Sequence, residues 1–112
     1  MTKHEDSFYL EGIQEHIAAI KQYLPNSKAK YLADEMLQDA LLMRLLAIGE
    51  EITHLSDSVL GKYPELEWPK IIGLRNRIVH GYFEVDKDVI WQVLTDGSLN
   101  ELSAVIENQL GG

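Results

Sequence analysis

Hydrophobic residues recur at three- and four-residue spacing along much of the chain, which is the period of an amphipathic helix. The pattern predicts a first helix over residues 4–24, ended by Pro25 and Asn26. Residues 27–31 predict a short helical turn after it. The apolar line of the first helix consists of Leu10, Ile13, Ile17, Ile20 and Leu24.

A second, longer helix is predicted over residues 33–60. Its middle, the segment ALLMRLLAIG, is apolar on nearly every side except at Arg44. Because a surface helix of a globular protein normally has a polar flank, we expect this helix to lie at the centre of the fold or to be covered by a partner. Residues 61–64 (GKYP) are expected to end it.

The second half of the chain predicts shorter helices. Pro69 fits the first turn of a third helix, and Gly81 is suited to its end. Asp86 is expected to cap a fourth helix that runs through Leu94. The Asp-Gly pair at residues 96–97 is expected to break this helix.

The last helix is predicted to run from a capping box at residues 98–101, Ser-Leu-Asn-Glu, to about Leu110. No segment shows the period-two alternation of a half-buried strand. The whole chain, residues 1–112, is therefore expected to form a single all-α domain. The short connections favour an up-and-down bundle of four to five helices.

Composition narrows the setting in which such a domain works. The 112-residue chain has no cysteine, so it has no disulfide framework, thiolate nucleophile or cysteine metal site. Its N-terminal segment, MTKHEDSFYL, lacks the apolar core of a secretory signal, and no apolar run approaches the ~18 residues of a membrane span. We expect a soluble, cytoplasmic protein without membrane contact.

Charge is distributed unevenly along the chain. The formal net charge of −8 argues against long, sequence-independent binding of nucleic acid. Between Glu67 and Glu84, however, no acidic residue occurs. This stretch is suited to holding one phosphate group or a small anion. Its basic or titratable residues are Lys70, Arg75, Arg77 and His80.

The polar residues of this stretch lie at different positions around the third predicted helix. Asn76 and Arg77 lie four and three residues before His80, so both are its neighbours on the helix surface. Arg75 lies five residues before His80, about 140° around the helix. Arg75 and His80 therefore converge only if the helix loosens near Gly81 or if a second copy of the chain supplies the missing group.

These residue types suit the cleavage of RNA without a metal ion, in which the 2′-hydroxyl attacks the neighbouring phosphate. Histidine transfers protons near neutral pH, and arginine holds phosphate through a planar, permanently charged fork. One histidine does not easily act as both base and acid. A two-fold dimer would bring two copies of His80 to one cleft and would also cover the apolar second helix.

The spacing Arg75-x4-His80-x-Tyr82 resembles the RX4HXY motif of the HEPN superfamily, specifically that of its HepT-like toxin family. The resemblance covers most of the chain and is weakest in its first 30 residues. The motif alone is short, but with its flanks it is specific. The flanking segments are LLAIGEEI (45–52), YPELEW (63–68), IIGLRNRIVHGYFEVD (71–86) and VIWQVL (89–94), in the family's order and spacing.

The resemblance implies a small all-α homodimer that cleaves RNA without a metal ion or a cofactor. It makes Arg75 and His80 the catalytic pair, in a cleft at the dimer interface, with Asn76 assisting. It also implies a toxin–antitoxin pair, in which the antitoxin is a minimal nucleotidyltransferase. That partner binds the toxin and transfers AMP from ATP to Tyr82. No family role extends to Arg77.

Simpler explanations of these residues stay open at this point. His80 at a helix end can satisfy a backbone carbonyl, and Arg75 can form an ordinary surface ion pair. Asn76 can be a structural cap, and Tyr82 a half-buried aromatic residue. The adjacent acids at 50–51 are either a general base pair or, as we favour, a solvated helix face. The other histidines do not have the spacing of metal ligands, so no metal site is predicted. They are His4, His16 and His54.

Two other functional classes fit the same features. One is a HEPN bundle that binds a nucleotide or phosphate and regulates a partner nucleotidyltransferase without cleaving RNA, which the net charge of −8 favours. The other is a purely structural helical adaptor. Alanine substitutions at Arg75 and His80 separate the adaptor from the ribonuclease and from the nucleotide-binding bundle. Only the adaptor predicts no change in ligand binding.

Overall fold

The fold is an all-α bundle, as expected from the periodicity. A computed structural model of the chain describes residues 5–111, apart from the side chain of Phe83. In this range the backbone forms seven α-helices, a short 3-10 helix at Tyr82–Glu84 and no strand. The α-helices are α1 (Asp6–Tyr23), α2 (Lys28–Leu32), α3 (Glu35–Thr53), α4 (Asp57–Lys62), α5 (Trp68–Gly81), α6 (Lys87–Thr95) and α7 (Ser98–Gly111).

Helix α3 is the centre of the bundle, because it packs against α1 on one side and α5 on another. The fully buried residues of the core include Ile13 and Ile17 of α1 and Leu41, Ile48 and Ile52 of α3. Burial of such side chains is the main favourable term in folding. The expectation that the apolar helix is central is confirmed for these two sides, while a third side faces solvent.

The predicted helix over residues 33–60 is interrupted between α3 and α4. Ser56 caps α4, its Oγ accepting a hydrogen bond from the backbone N–H of Val59 at 3.3 Å. The Asp6 carboxylate of α1 accepts two further hydrogen bonds from Ser56. The Ser56 N–H donates at 2.8 Å and the Ser56 hydroxyl at 2.7 Å. These side-chain bonds replace helical ones and stop α3. The apolar spacing conceals the break because Leu55 and Val59 are both buried.

The start of α7 also differs from the prediction of a capping box at residues 98–101. Ser98 is the first residue of the helix, and its N–H and hydroxyl both donate to Asp96 Oδ1, at 2.9 and 2.5 Å. Gly97 has a φ of +92°, a conformation that favours glycine. That conformation lets Asp96 reach the helix start, so Asp96 accepts from the Ser98 N–H in place of Glu101. The Glu101 N–H, which the Ser98 hydroxyl was expected to serve, donates to the backbone oxygen of Gly97 at 3.0 Å instead.

The remaining helix ends agree with the sequence pattern. The predicted start at residue 4 lies outside the described residues, and α1 ends at Tyr23. Pro69 lies in the first turn of α5, and Asp86 caps α6 by accepting from the Asp88 N–H at 2.8 Å. Within residues 5–111, no helix combines the length and apolarity needed to cross a membrane.

Candidate active site

A close helix crossing sets the position of the motif arginine. Helix α5 passes α3 at Gly49, where an added Cβ would lie against Cβ of Arg75 and 2.8 Å from its Cγ. No residue with a side chain fits there without moving one of the helices. The glycine therefore allows Arg75 to lie directly beside the C-terminal half of α3.

The Arg75 guanidinium is held by two neighbouring side chains. Its Nε and Nη2 both contact Glu50 Oε1 of α3, in an ion pair in which the arginine side chain is 26% exposed. Its Nη1 donates to Asn76 Oδ1 at 2.7 Å. Each terminal nitrogen keeps a second N–H. The site therefore presents an oriented, partly exposed guanidinium to solvent, as phosphate binding requires.

Glu50 is a part of this site that the sequence interpretation missed. The acids at 50–51 were expected to form a solvated face, and the Glu50 side chain is 41% exposed, but it also bonds directly to Arg75. A carboxylate that bonds a guanidinium fixes its orientation, which is a positioning role rather than that of a general base. The contact depends on the helix crossing at Gly49, which no local pattern reveals.

His80 lies in the last turn of α5 with its side chain exposed. Its side chain forms no hydrogen bond with any other residue in the described range, including Arg75. The imidazole is thus free to exchange a proton with a ligand. Arg77 is also exposed, but it lines a separate groove between α5, α6 and α7. The structure therefore separates Arg77 from the Arg75–Glu50 pair.

Tyr82 lies just after α5, and its hydroxyl donates to Asp39 Oδ1 of α3 at 2.5 Å. The hydrogen bond to Asp39 is the main factor that raises the pKa of Tyr82, and burial and the charges of Asp39 and Glu35 add to it. Asp39 was not found from the sequence. A cue exists, because Asp39 precedes Glu50 by about three helical turns and so shares its face of α3.

We expect replacement of Asp39 with asparagine to lower the pKa of Tyr82 towards its ordinary value. The carboxylate stabilises the neutral phenol, so in the wild type Tyr82 ionises at a higher pH than an ordinary tyrosine. An NMR titration of the Tyr82 ring measures this directly. Asp57→Asn, on α4, is the matched control and should leave the titration unchanged. An identical Tyr82 titration in wild type and Asp39→Asn would contradict this assignment.

One side of α3 leads to this site and is exposed. We call it the α3 stripe, and it consists of residues at four-, three- and four-residue spacing. Met36 is 83% and Met43 59% exposed. The next position along the same face is Glu50. The members of the α3 stripe are Met36, Ala40, Met43 and Ala47.

Comparison with known proteins agrees with the motif. The family model described as Ribonuclease HepT-like matches residues 13–108. A Thermococcus cleftensis protein named "Probable ribonuclease HepT" is 30% identical over 83% of this chain and 84% of its own length. No solved structure matches the chain significantly.

Two Methanocaldococcus jannaschii proteins named "Putative RNase" are also similar to this chain. One is 28% identical over 70% of this chain and 64% of its own length. The other is 24% identical over 86% of this chain and 89% of its own length. The resemblance seen in the motif and its flanks is thereby confirmed. The chain belongs to the Ribonuclease HepT-like family.

Proposed function

We propose that this protein is a metal-independent endoribonuclease whose catalytic pair is Arg75 and His80. The observation that supports this most is the guanidinium of Arg75, oriented by Glu50 and Asn76, on the same helix as a free, exposed His80. A phosphate bound by Arg75 would meet groups that stabilise its charge and groups that move protons.

The reaction follows from the chemistry of these groups. A neutral His80 takes the proton of the 2′-hydroxyl as its oxygen attacks the adjacent phosphorus. A protonated His80 gives a proton to the departing 5′-oxygen as the P–O5′ bond breaks. Arg75 stabilises the charge that develops on the phosphate oxygens. The products are a 2′,3′-cyclic phosphate and a 5′-hydroxyl, and no water or metal ion takes part in the step.

Two copies of the chain supply the two protonation states of His80. The exposed α3 stripe supports this, because Met36 and Met43 are large apolar side chains left open to solvent. In a two-fold dimer that buries the α3 stripe, the same flank of each α3 meets its equivalent. Glu50 and Arg75 lie on that flank, so the two motif regions would share one cleft.

Replacing Met43 with glutamate is expected to weaken the dimer at least tenfold, about 1.4 kcal/mol, and to slow RNA cleavage. The change places two carboxylates near the two-fold axis, in an interface that excludes water. Light scattering after size exclusion measures the mass, and an RNA assay measures the rate. Leu110, on α7, is 39% exposed in the wild type. Its replacement with glutamate serves as the control. A dimeric, fully active Met43→Glu protein would refute this interface.

The same proposal includes the regulation of this nuclease as a toxin. A minimal nucleotidyltransferase antitoxin binds it and transfers AMP from ATP to the Tyr82 hydroxyl, releasing pyrophosphate. The modified oxygen has no proton to donate, so the bond to Asp39 seen here is lost. Repulsion between Asp39 and the new phosphate then favours its movement towards Arg75 and His80. There it excludes the RNA phosphate.

Tyr82→Phe is expected to escape inactivation by the cognate nucleotidyltransferase and ATP, because it lacks the acceptor oxygen. Wild type should gain the mass of AMP and lose RNA cleavage, whereas the variant should keep its own starting rate. Intact-mass spectrometry and the RNA assay on the same samples measure both. Tyr23→Phe, which retains Tyr82, is the matched control and should be inactivated. Inactivation of Tyr82→Phe together with a mass gain would show that another residue is modified.

A further inference from the structure

A cavity of about 180 Å³ lies beside Tyr82, between α3, the 3-10 helix and α6. Leu42, Val85 and Ile90 provide apolar lining, together with the rings of Tyr31 and Tyr82. Sites for drug-sized ligands occupy roughly 300–1,000 Å³. This cavity is smaller, so it suits one flat ring system rather than a whole nucleotide.

The cavity wall contains a buried hydrogen-bond acceptor without a partner. Gln38 is 7% exposed and lines the cavity. Its Nε2 donates to the backbone oxygens of Tyr31 at 2.9 Å and Leu32 at 3.2 Å, which fixes the orientation of the amide. Its Oε1 has no hydrogen-bond partner within residues 5–111. Buried acceptors are nearly always paired, so this oxygen is suited to a ligand group that donates.

The other polar groups of the cavity define the ligand further. Asp39 Oδ1 accepts the Tyr82 hydroxyl, and Oδ2 offers a second acceptor. Glu35, one turn earlier on α3, and Lys87, at the start of α6, also line the cavity and bring a second carboxylate and an ammonium group to its surroundings. The cavity therefore combines several acceptors with one cationic donor. A ligand complementary to these groups presents an edge with two adjacent N–H donors beside one acceptor.

Among the RNA bases, guanine presents that edge. Its N1–H and 2-amino group are adjacent donors, and O6 beside them is an acceptor. The other bases would place an acceptor against the carboxylates of the cavity, where guanine places a donor. In uracil and cytosine this acceptor is O2, and in adenine it is the unprotonated N1. Single-stranded bases are commonly recognised by stacking on an aromatic ring together with hydrogen bonds to this edge.

We propose that this cavity is a specificity pocket for a guanine base of the RNA substrate; the proposal rests on the ribonuclease function above. The N1–H and 2-amino groups donate to Asp39 and Gln38, Lys87 donates to O6, and the base stacks on Tyr82. Gln38 Oε1 has less than 1 Å² of exposed surface in this structure. The base therefore enters as the Tyr82 ring turns outward and exchanges its bond to Asp39 for contacts with the base.

The position of the pocket predicts where the RNA is cut. Tyr82 follows His80 by two residues, at the end of α5. A guanosine held beside Tyr82 places one of its own phosphates next to His80 and Arg75. Cleavage is therefore expected at phosphates adjoining guanosine. Each well-formed bidentate contact discriminates between bases by about 1–3 kcal/mol, roughly 5- to 150-fold.

The pocket is tested by NMR titration of the unmodified full chain with GMP, IMP and UMP. GMP should shift the Gln38 side-chain amide and bind at least roughly tenfold tighter than UMP. IMP, which lacks the 2-amino group, should fall between them. Asp39→Asn should lose most of the GMP preference, and the control Asp57→Asn should retain it. Equal binding of GMP and UMP, or an unshifted Gln38 amide, would overturn the pocket.

A cleavage assay separates this proposal from the one on which it rests. The substrates are short RNAs with one guanosine, replaced in turn by inosine, adenosine or uridine. Faster cutting beside guanosine supports the pocket, and equal cutting of all four substrates overturns it while leaving the ribonuclease intact. If no RNA is cut but GMP still binds at Gln38, the ribonuclease fails and the guanine site stands.

Discussion

Replacing His80 with alanine is expected to slow RNA cleavage by roughly 10²- to 10⁴-fold, the usual contribution of a general acid or base. The imidazole is exposed and makes no side-chain hydrogen bond within residues 5–111, so its loss should leave the fold intact. In a dimer with two copies of His80 in one cleft, the substitution removes both the base and the acid. Initial rates on a defined RNA, with protein free of AMP on Tyr82, measure the effect.

The matched control for this variant is His54→Ala. His54 is another exposed histidine, and its ring stacks on Tyr9 with centroids 4.9 Å apart, at the end of α3. It should retain wild-type cleavage, and both variants should unfold at nearly the wild-type urea concentration. A His80→Ala protein that cuts RNA at the wild-type rate would remove His80 from the mechanism.

Replacing Gly49 with alanine is expected to destabilise the protein and to displace Arg75. The new methyl group would overlap Cβ of Arg75 and lie 2.8 Å from its Cγ. The helices α3 and α5 must separate, and overpacking of this kind costs about 1–3 kcal/mol. The same separation pulls Arg75 away from Glu50, so cleavage should fall as well. Urea unfolding and RNA cleavage measure the two effects.

Gly73→Ala, on α5, provides an opposing control. An added Cβ at Gly73 would meet nothing within 4 Å. Alanine is more favourable than glycine in a helix by about 1 kcal/mol, so this variant should gain stability and keep its activity. If alanine lowers the free energy of unfolding at Gly49 and raises it at Gly73, the loss at Gly49 is caused by the close helix crossing there. Equal stabilisation of both variants would contradict the close packing of α3 against α5.

Local patterns in the sequence account for most of the helices. Apolar spacing located α1, α3, α5, α6 and α7, and Pro69 and Asp86 lie at the predicted helix starts. The break before α4 was missed because it depends on hydrogen bonds that Ser56 donates to Asp6, 50 residues away in sequence. Apolar spacing continues through such a break, since Leu55 stays buried.

In the candidate site, too, residues that share a local motif can be predicted from the sequence, whereas tertiary contacts cannot. Arg75 and His80 can be predicted from the sequence because they belong to one short motif on one helix, and their catalytic role stays a prediction. The bond of Glu50 to Arg75 and that of Asp39 to Tyr82 were missed because both are tertiary contacts, the second between residues 43 apart in sequence. Such contacts arise from the packing of α5 and the residues that follow it against α3, which helix periodicity does not encode.

Metal-independent cleavage of RNA is tested by incubating the purified wild-type protein with RNA in excess EDTA. The protein is freed of any partner, checked by mass for unmodified Tyr82, and incubated with total cellular RNA. We expect cutting that leaves 2′,3′-cyclic phosphate and 5′-hydroxyl ends. Intact RNA at every salt concentration tested would contradict the account and would favour a nucleotide-binding module that does not cleave.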